Sequence, residues 1–586
     1  MNKKICILLS MVMVTLSACG VNVNINSKQS SEEVKEENVQ VAEEAAEETD
    51  SAEETDTDME DADSEAAVAG PVYKLVEKYY SEEYSGNNKA DGDGDSLEGK
   101  QVYDGMSETL MVADESKELY PNLYEKLNSD AREAIELADK IASEQSKEAN
   151  EDADSSADDE RPFMGPWTDY SSINIKRADN KVISYTRDFA NFYGGAHGMY
   201  GRTGITYDVE SGERLALTDI VDTTQEELIR ILKDTILEKG DEDAYSDLDE
   251  DLKNYSLTTE NPVLTDPDTD YESYEPGFDW YLGYDGVHFY FGPYEIAAYA
   301  VGDTEVVIGY DELPGTVNKD YIPETDKGYI VSSDIPVSDG QWEDEDDPEL
   351  KFIYGTDDQE YDDSGWINCT SLTLKQGDKS ATAEDEYFSY SYGKDSFRQY
   401  RVVTAEGKEY IYVCVLTFND YYDVIVYDIT GGDIKLSGIF SCHLAYEDWN
   451  TDYAGEFIPT DPDNMIFAEV GDLFGTYICY GRYVPGADGI PEYADDHYEI
   501  SWSSEKVKSL KDIKVTVLDE DYNEQGEEEL AAGTEFTPVR TDNESYMDCV
   551  IDDGRIIRLK YSKTDYPAEI DGVSVDDLFD GLIYAG

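Results

Sequence analysis

Apolar residues recur along this chain in two rhythms. In "LYEKLNSDAREAIELADKIASEQS", Leu127, Ala131, Ile135 and Ala138 stand three or four apart, which places them on one stripe of an α-helix. A second helix is predicted from Thr224-Gln225-Glu226-Glu227, a capping-box pattern, with Leu228, Ile231, Leu232 and Ile236 along one face. Elsewhere the rhythm is that of strands. "SSINIKRADNKVISYTRDFANFY" predicts two strands joined at Asp179-Asn180, and "GITYDVESGERLALTDI" a hairpin turning at Ser211-Gly212. "GVHFYFG" and "EVVIGY" predict two more, "VYKLVEKYY" fits a strand or a helix, and "ANEDADSSADDE" reads as an acidic loop.

After Leu313 helical periodicity nearly vanishes. "YIYVCVLTFNDYYDVIVYDITGGDIKLSGIF" predicts two antiparallel strands turning at "FNDYYD" and a third after Gly431-Gly432. The tail predicts five or so short strands with turns at Gly526, Gly533 and Asp553-Gly554. The expected fold is therefore multidomain. Residues 71–313 form an α+β unit in which helices pack on an antiparallel sheet, residues 329–500 an all-β unit, and residues 504–586 a small SH3-like β-barrel.

The N-terminal composition adds two segments. Lys3 and Lys4 precede an apolar run from Ile5 to Leu16 that is too short to span a bilayer, the layout of an export signal. Leu16-Ser17-Ala18-Cys19-Gly20 resembles the lipobox of bacterial lipoproteins, so residues 1–18 are expected to be a signal peptide and Cys19 to carry lipid. Two acyl chains anchor stably where one binds reversibly. Residues 19–70, acidic and without aromatics, cannot bury a core and are expected to form a disordered linker. No later run is apolar for long enough to cross a membrane, so the mature protein is expected on the outer face of the cell membrane of a Gram-positive-type cell.

Charge narrows the partners. With 135 acidic and 44 basic residues the chain carries a net charge of -91, which repels nucleic acid and attracts cationic partners, less so at high salt. Cys369, Cys414, Cys442, Cys479 and Cys549 are odd in number, lie in strand-like runs and make no CxxC, so they read as buried thiols. His197, His288, His443 and His497 are too scattered to build a metal site readily, and no metal or other cofactor is expected. "DGDGDS", from Asp91, starts like a calcium loop but has Ser96 where glycine belongs and Val102 where glutamate belongs; "DPDTDYE" reads as another acidic loop. Nucleophile-elbow, P-loop and dinucleotide fingerprints are absent.

One stretch concentrates the candidate chemistry. In Tyr193-Gly194-Gly195-Ala196-His197-Gly198 the histidine could act as a base, yet paired glycines beside it also suit a turn that needs φ > 0. The turn is the simpler reading. His288, between Val287 and Phe289, reads as a half-buried sheet residue.

The same stretch carries a resemblance. Tyr193–His197, then Tyr207–Gly212, then Tyr294–Gly302 ("YEIAAYAVG") follow in the order found in the extracytoplasmic domains of RsiV-type anti-sigma factors and in the N-terminal region of PdaC-type peptidoglycan deacetylases. The resemblance implies an extracytoplasmic binding domain. RsiV-type proteins bind lysozyme with it and signal through a transmembrane helix, which is not seen here; PdaC-type proteins attach a separate metal-dependent deacetylase, whose histidine-rich motif is not seen either. The expected function is a non-catalytic surface lipoprotein that binds a lysozyme-like cationic protein or a cell-wall component such as peptidoglycan. Tyr193, Gly194, Gly195, His197, Tyr294 and Glu295 are the ligand-binding candidates. The alternatives are a peptidoglycan-active hydrolase using carboxylates and a passive structural or assembly lipoprotein.

Overall fold

A computed structural model describes residues 70–584 apart from internal stretches, the longer ones being 87–96, 263–275, 341–347 and 356–366. Cys19, the signal and linker segments, "DGDGDS" and "DPDTDYE" lie outside the described residues. Gly70–Gly586 packs as one compact unit, a mixed α/β architecture with few helices and many strands in several sheets.

Its first sheet contains β1 (Tyr73–Glu83), β2 (Gln101–Val112), β3 (Trp167–Ala178), β4 (Val182–Phe192) and β5 (Met199–Asp208), neighbours in that order. Between β2 and β3 runs α1 (Pro121–Asp158), which makes β2–β3 a parallel pair. Leu123 and Leu127 of α1 pack with Tyr73, Leu110, Ile173, Tyr185 and Ile205 in one core. The helix runs through the stretch expected to be an acidic loop, to Asp158. Ala149 and Ala153 explain this correction. Both are fully buried against Tyr84, Leu97, Val102 and Tyr103, so small residues on one face hold the helix down, and Tyr84 donates to Asp154 beside them. "VYKLVEKYY" resolves as strand β1, whereas β2 went unread.

The other face of β4–β5 supports α2 (Gln225–Lys239) and a three-stranded sheet of β6 (Asp279–Leu282), β7 (Gly286–Phe291) and β8 (Thr304–Gly309). The Thr224 hydroxyl accepts the Glu227 N–H and donates to the Glu227 carboxylate, so the cap forms with the carboxylate on the Thr224 hydroxyl in place of the Thr224 N–H that a full capping box would use. Leu228, Leu232 and Ile236 are buried with Leu282, Phe289 and Ile308. Each such side chain contributes about 1.5–3 kcal/mol of burial. Gly204 in β5 allows close approach, since a Cβ there would lie 1.8 Å from the Trp280 carbonyl. After the turn at Ser211-Gly212 the expected second hairpin arm is reduced to a single bridge, Tyr207 to Arg214, before a short helix, Leu217–Ile220.

The remaining strands build mainly a sixteen-stranded sheet. Its first half includes β9 (Phe397–Val403), β10 (Glu409–Leu416), β11 (Tyr421–Asp428) and β12 (Lys435–His443), matching the predicted succession of antiparallel strands. β13 (Gly455–Ile458) leaves that array and pairs with β1. The tail strands continue the same sheet from Tyr498–Trp502 through Glu535–Thr541 to Glu524–Leu530. Among the described residues no pairing returns from Glu524–Leu530 to close a barrel. Gly526 lies within that strand and not at a turn, the chain reversing instead at Asp519–Asn523.

Candidate functional site

The β4–β5 connection is the loop Tyr193–Gly198, and its shape depends on glycine. Gly194 and Gly195 have φ of 77° and 130°, conformations that an L side chain adopts only under strain. This reversal carries His197 outward to an exposed position, its Nδ1 2.9 Å from the Gly198 carbonyl. The second arm, between β7 and β8, also turns sharply. Tyr294 has φ 71°, and the Glu295 carboxylate accepts the Gly292 N–H at 2.7 Å, closing the turn.

The two arms meet through rings. His197 stacks on Tyr299 with centroids 4.0 Å apart, and the Tyr294 hydroxyl lies 3.3 Å from His197 Nε2. Tyr299 donates to the Gly198 carbonyl at 3.1 Å, and Tyr200 packs edge-on against Tyr299. Tyr294 is 59% exposed, so the cluster presents a ring to solvent. Tyr193 points elsewhere: its ring lies against Trp167 and its hydroxyl donates to Asp169 at 2.7 Å. Of the six candidates, then, His197 and Tyr294 touch, the two glycines shape the loop, and Tyr193 and Glu295 brace the arms. Tyr200, Tyr299 and Gly198 complete the cluster but were not singled out, although Tyr299 lies inside the Tyr294–Gly302 motif.

A charged network ties the strands behind the arms. Arg202 of β5 holds Asp188 of β4 through two nitrogens, at 2.9 and 2.6 Å, and Glu305 of β8 at 2.8 Å. Glu305 also accepts from Tyr281 and lies 2.8 Å from His288 Nδ1, while His288 Nε2 lies 2.8 Å from Asp285. With a carboxylate at each ring nitrogen, His288 is held as the imidazolium. Burial opposes that charge, but the hydrogen bonds to Asp285 and Glu305 outweigh it and raise the pKa. Burial likewise opposes the charge on Glu305, and the bonds from His288 and Tyr281 with the Arg202 charge bring it down to about 2. His288 is half-buried in its strand, as expected.

The arrangement suits contact more than chemistry. A stacked, exposed imidazole whose neighbours are tyrosines has no carboxylate orienting it among the described residues, whereas rings with hydroxyl tips offer apolar area with a polar handle. The five thiols among the described residues are buried away from this cluster, and burial pushes those of Cys369, Cys414 and Cys479 up to about 12, which disfavours the nucleophilic thiolate.

Residues 114–200 match the model of the PdaC family, described as deacetylase PdaC, and residues 221–311 match that of DUF3298, a family of unknown function. Similar solved structures include a DUF3298 family member from Bacteroides fragilis, 16% identical, covering 43% of this chain and 96% of its own at a TM-score of 0.31. Another, a DUF3298 family protein from Pseudomonas aeruginosa, is 19% identical and covers 44% of this chain and 98% of its own at a TM-score of 0.28. No curated protein matches the chain. Residues 114–200 are thus similar to the PdaC family, as the resemblance to PdaC-type N-terminal regions implied, residues 221–311 are similar to the DUF3298 family, and the His197–Tyr299 stack joins one matched segment to the other.

Proposed function

We propose that this chain is a non-catalytic surface lipoprotein, anchored through lipid on Cys19, that binds an extracellular ligand at the His197–Tyr294–Tyr299 cluster. The observation that carries this reading is the convergence of two distant motifs on one exposed group of rings. Aromatic rings with polar tips are favoured at binding surfaces because they supply large contact area at small entropic cost. The net charge of -91 favours a cationic protein such as a lysozyme, and a wall component such as peptidoglycan is the other candidate ligand.

Binding of the chain to lysozyme and to purified peptidoglycan at low ionic strength tests this. Saturable binding to one of them, lost in Tyr294→Ala and Tyr299→Ala variants that keep their fold, is the expected result; absence of saturable binding to both overturns it. The description of the matched PdaC family as a deacetylase favours a second reading, an envelope hydrolase that uses carboxylates. Turnover of peptidoglycan that disappears when one acidic pair is changed would establish that reading.

A further inference from the structure

Away from the aromatic cluster, three carboxylates line up against one guanidinium. Glu77 of β1 stands directly opposite Glu108 of β2, and Glu456 of β13 pairs with Leu75, two residues along β1 from Glu77. Like charges facing each other across a strand pair repel. All three approach Arg398, which comes from β9 in the other sheet: it pairs with Glu77, lies 3.3 Å from Glu108 and lies 3.6 Å from Glu456. The side chains of Glu108, Glu456 and Arg398 are only 8%, 13% and 15% exposed.

Among the described residues, the groups facing this cluster leave a surplus of negative charge. Arg187 of β4 is the second cation that acts on Glu108. Tyr79 donates to Glu77 at 2.8 Å, and the Ile173 N–H donates to Glu108 at 2.7 Å. Tyr400, Cys414, Tyr422 and Cys442 of β9 to β12, with Tyr446, contribute neutral groups, since burial raises the pKa of Tyr400, Cys414, Tyr422 and Cys442. Two guanidinium charges thus face three carboxylates. A buried unbalanced charge is removed most cheaply by protonation.

We propose that the Glu77–Glu108–Glu456 cluster holds one proton, seated mainly on Glu456, and that this proton fastens the seven-stranded sheet to the sixteen-stranded sheet. The junction tightens in mildly acid medium and loosens in alkaline medium. Glu456 makes the longest of the three contacts with Arg398. Burial, opposed by Arg398 and reinforced by the charges of Glu77 and Glu108, pushes its carboxyl up to about 7. A carboxyl raised in the folded state stabilises fully below its unfolded pKa of about 4.3 and loses that contribution as pH rises through about 7.

Thermal midpoints of the whole chain, measured from about pH 5.5 to 8.5, test the proposal when the wild type is compared with Glu456→Gln and Glu77→Gln. The wild-type midpoint is expected to fall as pH crosses neutrality. Glu456→Gln, with a permanently neutral amide, loses that fall and melts above the wild type at the alkaline end; Glu77→Gln shifts the fall to lower pH, because one repelling charge is gone and Glu456 ionises earlier. A Glu456→Gln variant that follows the wild-type profile overturns the proposal. Should that variant not fold, carboxyl carbon NMR of the wild type and of Glu77→Gln decides: a glutamate titrating near neutrality that moves down in Glu77→Gln supports it, and no such resonance overturns it.

Discussion

The tip of the β4–β5 hairpin and the Arg398 cluster both gather side chains from distant parts of the chain, at opposite energetic stakes. At the tip, rings meet in water, and glycine backbone at Gly194 and Gly195 does the shaping. At Arg398, charges meet where water is scarce, so each carboxylate depends on partners supplied by other strands. The difference teaches where this protein tolerates change: a surface of contacts can lose a member at little cost, whereas a buried cluster of unequal charge is strongly destabilised when it loses its cation.

The largest expected effect follows from removing the shared cation. Arg398→Met should cost about 3–5 kcal/mol in urea unfolding near neutral pH, because three carboxylates keep their burial and lose their partner. A cost below about 1 kcal/mol would mean the cluster is as well solvated as a surface pair, and the contrast would collapse. Next comes Ala153→Leu. Ala153 is fully buried on α1, so the added carbons have no room and about 1–3 kcal/mol is expected in the same assay.

A smaller, pH-dependent effect belongs to His288, which lies between the two extremes. His288→Gln should cost about 1 kcal/mol in weakly acid buffer. The raised pKa means this contribution is full below the unfolded histidine value of about 6.5 and is lost as pH rises through the folded one, so wild type and variant should converge in alkaline buffer. A gap that widens with pH would contradict the imidazolium assignment. The smallest effect on stability is expected at the tip, where Tyr294→Ala should stay within about 0.5 kcal/mol while abolishing the proposed ligand binding. A large loss of stability there would make Tyr294 a structural residue and remove the distinction between the two regions.

Much of the site was legible because its signals are local. Paired glycines before His197, and the motif from Tyr294 to Gly302, stand out in one-dimensional order, and Thr224 with Glu227 announces the start of α2 within four residues. Less was legible where local appearance and burial disagree. "ANEDADSSADDE" looks like a solvated loop by composition, but Ala149 and Ala153 have partners in β2, Tyr84 and Leu97 that no local pattern announces. Gly526 looks like a turn and sits in a strand because a bulge opposite Val517 and Leu518 absorbs it.

The sequence by itself determined the two rhythms of apolar residues, the acidic balance, the glycine-shaped loop and the order of the motifs, since each depends on neighbours a few positions apart. Only the tertiary structure decided that His197 stacks on Tyr299, that Arg202 and Glu305 tie the strands behind them, and that Glu77, Glu108 and Glu456 share Arg398. Those contacts join residues from 58 to 321 positions apart. Their pairing is set by strand order and register, and the cost of burying charge makes itself felt only after the sheets have met.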